Sequence, residues 1–277
     1  MSKPVNSILI TGCSSGIGHC TAHRLRDRGY QVIASARKMA DVQRLQAQGF
    51  TAVKLDLTDT DSIQQAMQQT LQLTGGKLDA LFNNAAYGQP GAVEDLSREV
   101  LREQFESNFF GTHELTNRIL PVMRQQGGGR IIYNSSVLGF VALTYRGAYN
   151  ASKFALEGLA DTLRLELHGS GIHIVLIEPG PIESDFRKNA LLMYQKNIDA
   201  QHSVHKQRYQ TMEERLQKEG PAVAFTLPAD AVARKVIQAL ESGKPKVRYA
   251  VTFPTYLFAV LKRILPAATL DKILRRV

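Results

Sequence analysis

The sequence has no tryptophan, only two cysteines and no unbroken apolar run of membrane-spanning length. Cys13 and Cys20 are too few for a disulfide framework, and their spacing fits no common zinc pattern. They are expected to be small buried residues in a reducing compartment. A bilayer span needs about 18 apolar residues. Met1-Ser2-Lys3-Pro4 leads into a short strand-like run and then glycines, not into the apolar segment and cleavage site of a signal peptide. Neither secretion nor a spanning helix is therefore expected, and the expected location is the cytoplasm. With 44% hydrophobic and 21% charged residues, the chain has globular composition, and 277 residues suffice for one large domain without staples.

Acid is almost missing from the C-terminal end. Lys244, Lys246, Arg248, Lys262, Arg263, Lys272, Arg275 and Arg276 face Asp271 alone, so the last 34 residues hold +7 of the chain's +9. A nucleic-acid binder would not concentrate its charge this way, and no nucleic-acid partner is expected. Residues 256–261 are apolar and are followed by Lys262-Arg263 and Ile264-Leu265. A basic amphipathic helix of this kind either lies on an anionic membrane surface or packs on its own domain with a solvated basic face.

The first two-thirds of the chain alternates strand and helix patterns. Strands are expected at 7–11, 31–36, 52–55, 78–83, 130–134 and 173–178. Helices are expected at 17–28, 39–48, 59–73, 99–123 and 147–168. Parallel neighbours need long crossovers, so this order predicts an α/β fold with a Rossmann-like, doubly wound parallel sheet in a single domain. A helix capped by Pro228-Ala229-Asp230 and running to Ser242, then a strand at 247–251, would bring the sheet to about seven strands. Residues 5–183 form the expected core and 228–251 its last helix and strand. Residues 184–227 break the pattern with two candidate helices and follow the sixth strand, where open α/β sheets bind ligands. They are expected to form a substrate lid, and 252–277 a basic amphipathic tail.

Directly after the first strand comes Thr11-Gly12-Cys13-Ser14-Ser15-Gly16-Ile17-Gly18. Glycines permit a tight turn and a close backbone approach, and the next helix points its free amides at a phosphate. The place of this cluster between strand and helix predicts dinucleotide binding. The second strand ends Ala34-Ser35-Ala36-Arg37-Lys38, without the carboxylate that would accept from a ribose 2′-hydroxyl. Arg37 and Lys38, with the Ser14 hydroxyl, suit a 2′-phosphate, so NADP(H) is the expected cofactor.

Tyr149 and Lys153 stand at i and i+4 on a predicted helix and so share a face. A lysine one turn away favours the phenolate and is expected to draw the tyrosine's pKa down. Tyr133 and Tyr145 have no lysine at i+4. Ser136, at the end of the fifth strand, is placed to hold a substrate oxygen; Ser135 is its competitor on the opposite face. Asn108, in Ser107-Asn108-Phe109-Phe110-Gly111, is poor helix-core material and makes sense as a buried hydrogen-bonding group.

Taken together, TGCSSGIG (11–18), Asn83-Asn84-Ala85, Asn108, Ser136, YNASK (149–153) and Pro179-Gly180-Pro181-Ile182 resemble the short-chain dehydrogenase/reductase family over residues 7 to about 184. The departures are Ala86, where glycine is usual, and Ser184, where threonine is frequent. YNASKFALEGLADTLRLEL and IEPGPIESDF look like the branch containing hydroxysteroid and retinol dehydrogenases and bacterial NADP-dependent aldehyde reductases, and the tail looks most like the last of these. The resemblance implies that Tyr149 exchanges the proton, Lys153 tunes it and binds the nicotinamide ribose, Ser136 positions the carbonyl, and Asn108 supports a proton relay with Lys153 and water. It further implies that Asp56 and Leu57 meet the adenine and that Asn83 and Ala85 flank its ribose. Pro179, Gly180, Ile182 and Ser184 would border the nicotinamide.

Tyr87, Leu138, Leu143, Tyr145 and Phe186 flank these motifs and either line an apolar substrate pocket or pack as ordinary core. The activity this implies is NADP(H)-dependent interconversion of a carbonyl and an alcohol, with a hydrophobic aldehyde as substrate. A steroid- or retinoid-type substrate is the alternative. Readings from other classes are a cofactor-sensing regulator without turnover, against which the intact four-residue set argues, and a membrane-binding protein led by its tail. His19 and His23 have metal-compatible spacing but no evident third ligand, so no metal is expected. His202 and His205 fall in the lid. Glu157, Asp161 and Glu166 are expected on a solvated or subunit-facing surface. A homodimer through the helices at 99–123 and 147–168 is implied by the resemblance.

Overall fold

The computed structural model describes residues 5–221 and 223–276. The expected lid and tail each include one residue outside that range, Ala222 and Val277. Seven parallel strands form the central sheet: β1 (Ser7–Ile10), β2 (Gln31–Ala36), β3 (Thr51–Lys54), β4 (Ala80–Asn83), β5 (Gly129–Asn134), β6 (Ile172–Glu178) and β9 (Arg248–Ala250). Their order is β3-β2-β1-β4-β5-β6-β9. It reverses direction at β1, which opens a crevice at the C-terminal strand ends between β1 and β4.

The sheet is buried on both sides because successive side chains alternate faces. Ile8 and Ile10 point into one apolar cluster, with Val232 and Val236 of α9 (Asp230–Glu241) and Leu25 of α1 (Gly16–Arg26). Leu9 points into the other, with Ile63 of α3 (Thr60–Leu73), Leu115 and Ile119 of α5 (Gly111–Gln125), and Leu156 of α6 (Gly147–Glu166). α2 (Met39–Ala47) completes the first layer.

The expected helix at 99–123 is interrupted. α4 (Arg98–Phe105) passes through a π-turn at Glu106–Phe110 into α5. The lid segment contains α7 (Phe186–Asn197) and α8 (Lys206–Gln217), which bury Tyr194, Tyr209 and Met212 in a third apolar cluster with Ala92, Leu96 and Ala148. Its two ends are tied by a short parallel pair that the sequence did not suggest, β7 (Ile182–Glu183) with β8 (Leu227–Pro228). The tail is two helices rather than one, α10 (Phe253–Ile264) and α11 (Ala267–Leu274). The break falls at Pro266, which lacks the N–H a continuing helix needs.

Candidate active site

The turn after β1 is shaped for close approach. Gly12 has φ +72° and Gly16 φ +58°. A Cβ on Gly18 would lie 2.3 Å from the Gly12 carbonyl oxygen, so no other residue fits there. Ser15 is the N-cap of α1 but makes no side-chain cap bond, and no acid stands in the helix's first turn. The first amides of α1 thus remain available to an anion. Thr11 and Asn84 hold this turn against the end of β4. Thr11 Oγ1 accepts from the Asn84 and Ala85 amides at 2.8 Å each. The Asn84 side-chain amide donates to the carbonyls of Thr11 (2.9 Å) and Gly12 (3.2 Å). These latching roles were not foreseen, although both residues lie within the quoted motifs.

At the end of β2, Arg37 and Lys38 are exposed, and among the described residues neither forms an ion pair. Arg44, which nothing in the sequence pattern marked, donates to the Ser14 carbonyl at 2.8 Å and pairs with Asp41. Asp56 sits past the end of β3 and uses one carboxylate oxygen on the amide and hydroxyl of Thr58. Asn83 donates to Thr116 Oγ1, while its own Oδ1 and Asn134 Oδ1 are buried with no partner among the described residues. Ser184 closes toward the glycine turn: a Cβ on Gly16 would meet Ser184 Cβ at 3.1 Å. The positive-φ turn, the uncapped helix start and the orphaned Asn83 oxygen all fit a nicotinamide dinucleotide.

Ser136, Tyr149 and Lys153 converge where β5 ends and α6 begins, and all are buried. Ser136 follows β5 and accepts from the Leu138 amide at 3.1 Å. It is close enough to Tyr149 to work against the effect of burial, which pushes the Tyr149 hydroxyl above its ordinary value. Ser135 faces the other way, toward Gly139 and Glu157. Of the two serines, it is therefore Ser136 that the fold brings to Tyr149.

Lys153 Nζ lies 5.7 Å from the centre of the Tyr149 ring and donates to the Asn134 carbonyl at 2.7 Å. Burial lowers Lys153 to about 8, opposed by Glu157. Burial therefore sets the direction for Tyr149, raising its hydroxyl where the spacing to Lys153 alone predicts a fall.

Asn108 sits in the π-turn, a break in helical hydrogen bonding of the kind that recurs at functional sites. Its amide donates to the Tyr87 carbonyl (2.9 Å) and Ser152 Oγ (3.2 Å), and its Oδ1 accepts from the Tyr87 amide (3.1 Å). It fixes the loop after β4 against α6 and makes no direct bond to Lys153.

Phe186, at the start of α7, packs edge-on against Tyr149 at 5.2 Å, and a Cβ on Gly88 would strike its ring at 2.7 Å. Leu138 follows Ser136, and the Leu143 amide meets Asn150 at 3.4 Å. The Tyr87 hydroxyl is raised to about 12 by burial. Tyr145 is drawn to the lid instead: its ring packs on His205 and Tyr209, and it lines a cavity of about 460 Å³ with Val93, Glu94 and His205. His19 Nε2 meets Gln48 Oε1 at 2.9 Å, and its ring stacks edge-on with His23 and Phe50.

Glu157 corrects the expectation of a surface carboxylate. It is 6% exposed, and Arg248 of β9 binds it together with Glu178 and Asp161. The 3.6-residue period that places Tyr149 and Lys153 inward does the same for Glu157.

The short chain dehydrogenase model matches residues 6–195. The chain belongs to the short-chain dehydrogenase family. Within it, the chain is 44% identical over 270 residues to the Escherichia coli protein named uncharacterized oxidoreductase YbbO, covering 97% of this chain and 94% of that one. It is 31% identical over 273 residues to the NADPH-dependent 3-dehydrocapnine reductase of Ornithobacterium rhinotracheale, covering 96% and 94%. A solved short-chain dehydrogenase from Streptomyces avermitilis superposes with a TM-score of 0.78 at 27% identity, over 99% of this chain and 94% of that one. The chain is accordingly an oxidoreductase with a nicotinamide-binding fold.

Proposed function

We propose that this short-chain dehydrogenase reduces hydrophobic aldehydes with NADPH, using Tyr149, Ser136, Lys153 and Asn108. The observation that carries this reading is the buried meeting of Ser136, Tyr149 and Lys153 beneath Phe186. The bound nicotinamide supplies the hydride. The Ser136 hydroxyl donates to the carbonyl oxygen and holds it beside Tyr149, whose hydroxyl gives up the proton. Lys153, charged below about pH 8, stabilises the phenolate left behind and binds the nicotinamide ribose. Asn108 keeps Tyr87 and α6 in register and supports the proton's replacement.

Gly12, Ser15, Gly16, Ile17 and Gly18 receive the pyrophosphate, and Arg37 and Lys38, with the Ser14 hydroxyl, the 2′-phosphate. Asp56, Leu57, Asn83 and Ala85 take the adenosine, and Pro179, Gly180, Ile182 and Ser184 the nicotinamide. The NADPH preference is supported by the unopposed cations after β2 and by the NADPH-dependent relative. The hydrophobic substrate is supported by the Phe186 ring against Tyr149.

The expected test outcome is NADPH-dependent reduction of a medium-chain aldehyde that Tyr149→Phe lowers by about 10²-fold or more, with NADPH binding retained. Turnover preserved in Tyr149→Phe would overturn the assignment. The proposed location is the cytoplasm, and the proposed assembly a homodimer through the helices at 99–123 and 147–168, where Phe110 of the π-turn and Leu165 of α6 are exposed. A monomeric mass by light scattering at micromolar concentration would exclude that pairing.

A further inference from the structure

α10 is amphipathic, but its apolar stripe faces outward. Its inner side carries Thr255 and Phe258, both buried, and its start rests on the loop after β6: a Cβ on Gly180 would lie 2.1 Å from Thr252 Oγ1. The opposite side carries Phe253, Tyr256, Leu257, Val260 and Ile264, each 40–66% exposed. At about 100° per residue these five fall within roughly 100° of the helix circumference. That is the width of a core-facing stripe, here left in solvent.

A second segment joins this face. Phe225, from the lid, has φ +61° and is 59% exposed, and its ring lies 5.0 Å from that of Phe253. A bulky residue held in the left-handed region, with its ring outside the core, extends the apolar patch instead of burying it. Arg263 near the end of α10, Lys272 in α11 and Arg275 and Arg276 just after it are all exposed, with Asp271 the single acid of α10 and α11. Lys262, on the side of α10 turned away from the stripe, lies 4.9 Å above the exposed Phe154 ring of α6.

We propose that this face, α10 and α11 with Phe225, is a docking surface for an anionic lipid bilayer. The apolar stripe enters the acyl boundary while the flanking cations meet the headgroups. A second copy of the chain is the poorer occupant, since pairing this face with itself would set one basic rim against another. The inference stands apart from the identity of the aldehyde.

The test is vesicle flotation of the full chain, with phosphatidylcholine vesicles and with three-to-one phosphatidylcholine–phosphatidylglycerol vesicles, at low and physiological salt. Wild type is expected to float with the anionic vesicles, about tenfold less with the neutral ones, and less as salt rises. The triple variant Phe225→Ser/Val260→Asn/Ile264→Asn is expected to lose about tenfold or more in partitioning while keeping wild-type melting and NADPH affinity. Failure to float with anionic vesicles, or flotation unchanged in the folded variant, would overturn the proposal. A dimer that dissolves in this variant, without vesicle binding by wild type, would assign the face to a second copy instead.

Discussion

Glu157 stands one turn beyond Lys153 on the inward side of α6, where two carboxylates and Arg248 share its surroundings. Burial raises its carboxyl to about 7, against roughly 4.3 for an exposed glutamate. Between those values the folded chain keeps a proton that the unfolded chain has released. The contribution to stability is therefore fully present below about pH 4 and falls as pH rises toward 7. Glu157→Gln removes that dependence, and Arg248 remains paired with Glu178 and Asp161. Urea midpoints of wild type and variant at pH 5 and pH 7.5 are expected to differ by amounts that change by on the order of 2–3 kcal/mol between the two conditions. An equal difference at both would show that Glu157 titrates as a surface carboxylate. Because Glu157 opposes the lowering of Lys153, the same variant is expected to bring the alkaline limb of the reduction rate to lower pH.

At the scale of elements, the segment 184–227, expected as a lid, is the part that meets both core and site. Its neck is the β7–β8 pair, its body is clamped by Tyr209 and Tyr194, and its first residue in α7 is Phe186, against Tyr149. On the proposed function, an aromatic ring there would offer a substrate chain apolar contact worth about 1.5–3 kcal/mol. Phe186→Ala is expected to lower kcat/KM for a medium-chain aldehyde by about ten- to a hundredfold, with NADPH affinity unchanged. An unaltered kcat/KM would remove Phe186 from the substrate's path.

The elements of the core were legible because each strand is an apolar run bounded by turn residues and each helix carries a 3.6-residue stripe. The seventh strand and the two lid helices were legible for the same reason. The π-turn was not, since one extra residue in a turn leaves the apolar period of 99–123 nearly intact; only Asn108 among phenylalanines marked the place. β7 and β8 escaped because two-residue strands carry no pattern. Arg44 and Arg248 escaped because nothing local distinguishes an arginine that reaches another element from one in solvent. The Tyr149–Lys153 pair was visible as spacing, but the lysine's bond to the Asn134 carbonyl was not.

For the whole molecule, the cofactor crevice and the sheet are one cooperative unit, because the glycine turn is pinned to β4 through Thr11 and Asn84, and Ser184 approaches it from the lid side. A ligand that bridges these parts and binds only the folded chain raises stability by mass action. At a hundred times its dissociation constant NADPH contributes about 2.7 kcal/mol, and each kcal/mol moves the melting temperature of a chain near this size by roughly 2–4 °C. On the proposed cofactor preference, charge-assisted bonds from Arg37 and Lys38 to the 2′-phosphate, about 1.5–3 kcal/mol, would make NADH ten- to a hundredfold weaker. At equal concentration NADH then contributes only about 0.4–1.4 kcal/mol. The expected result of thermal melting is a rise of roughly 5–10 °C with NADPH and at most about half of that with NADH. Arg37→Asp should close the gap by lowering the NADPH shift and raising the NADH shift. Equal shifts for the two cofactors in wild type would place Arg37 and Lys38 in solvent and leave the chain's cofactor choice to residues elsewhere in the crevice.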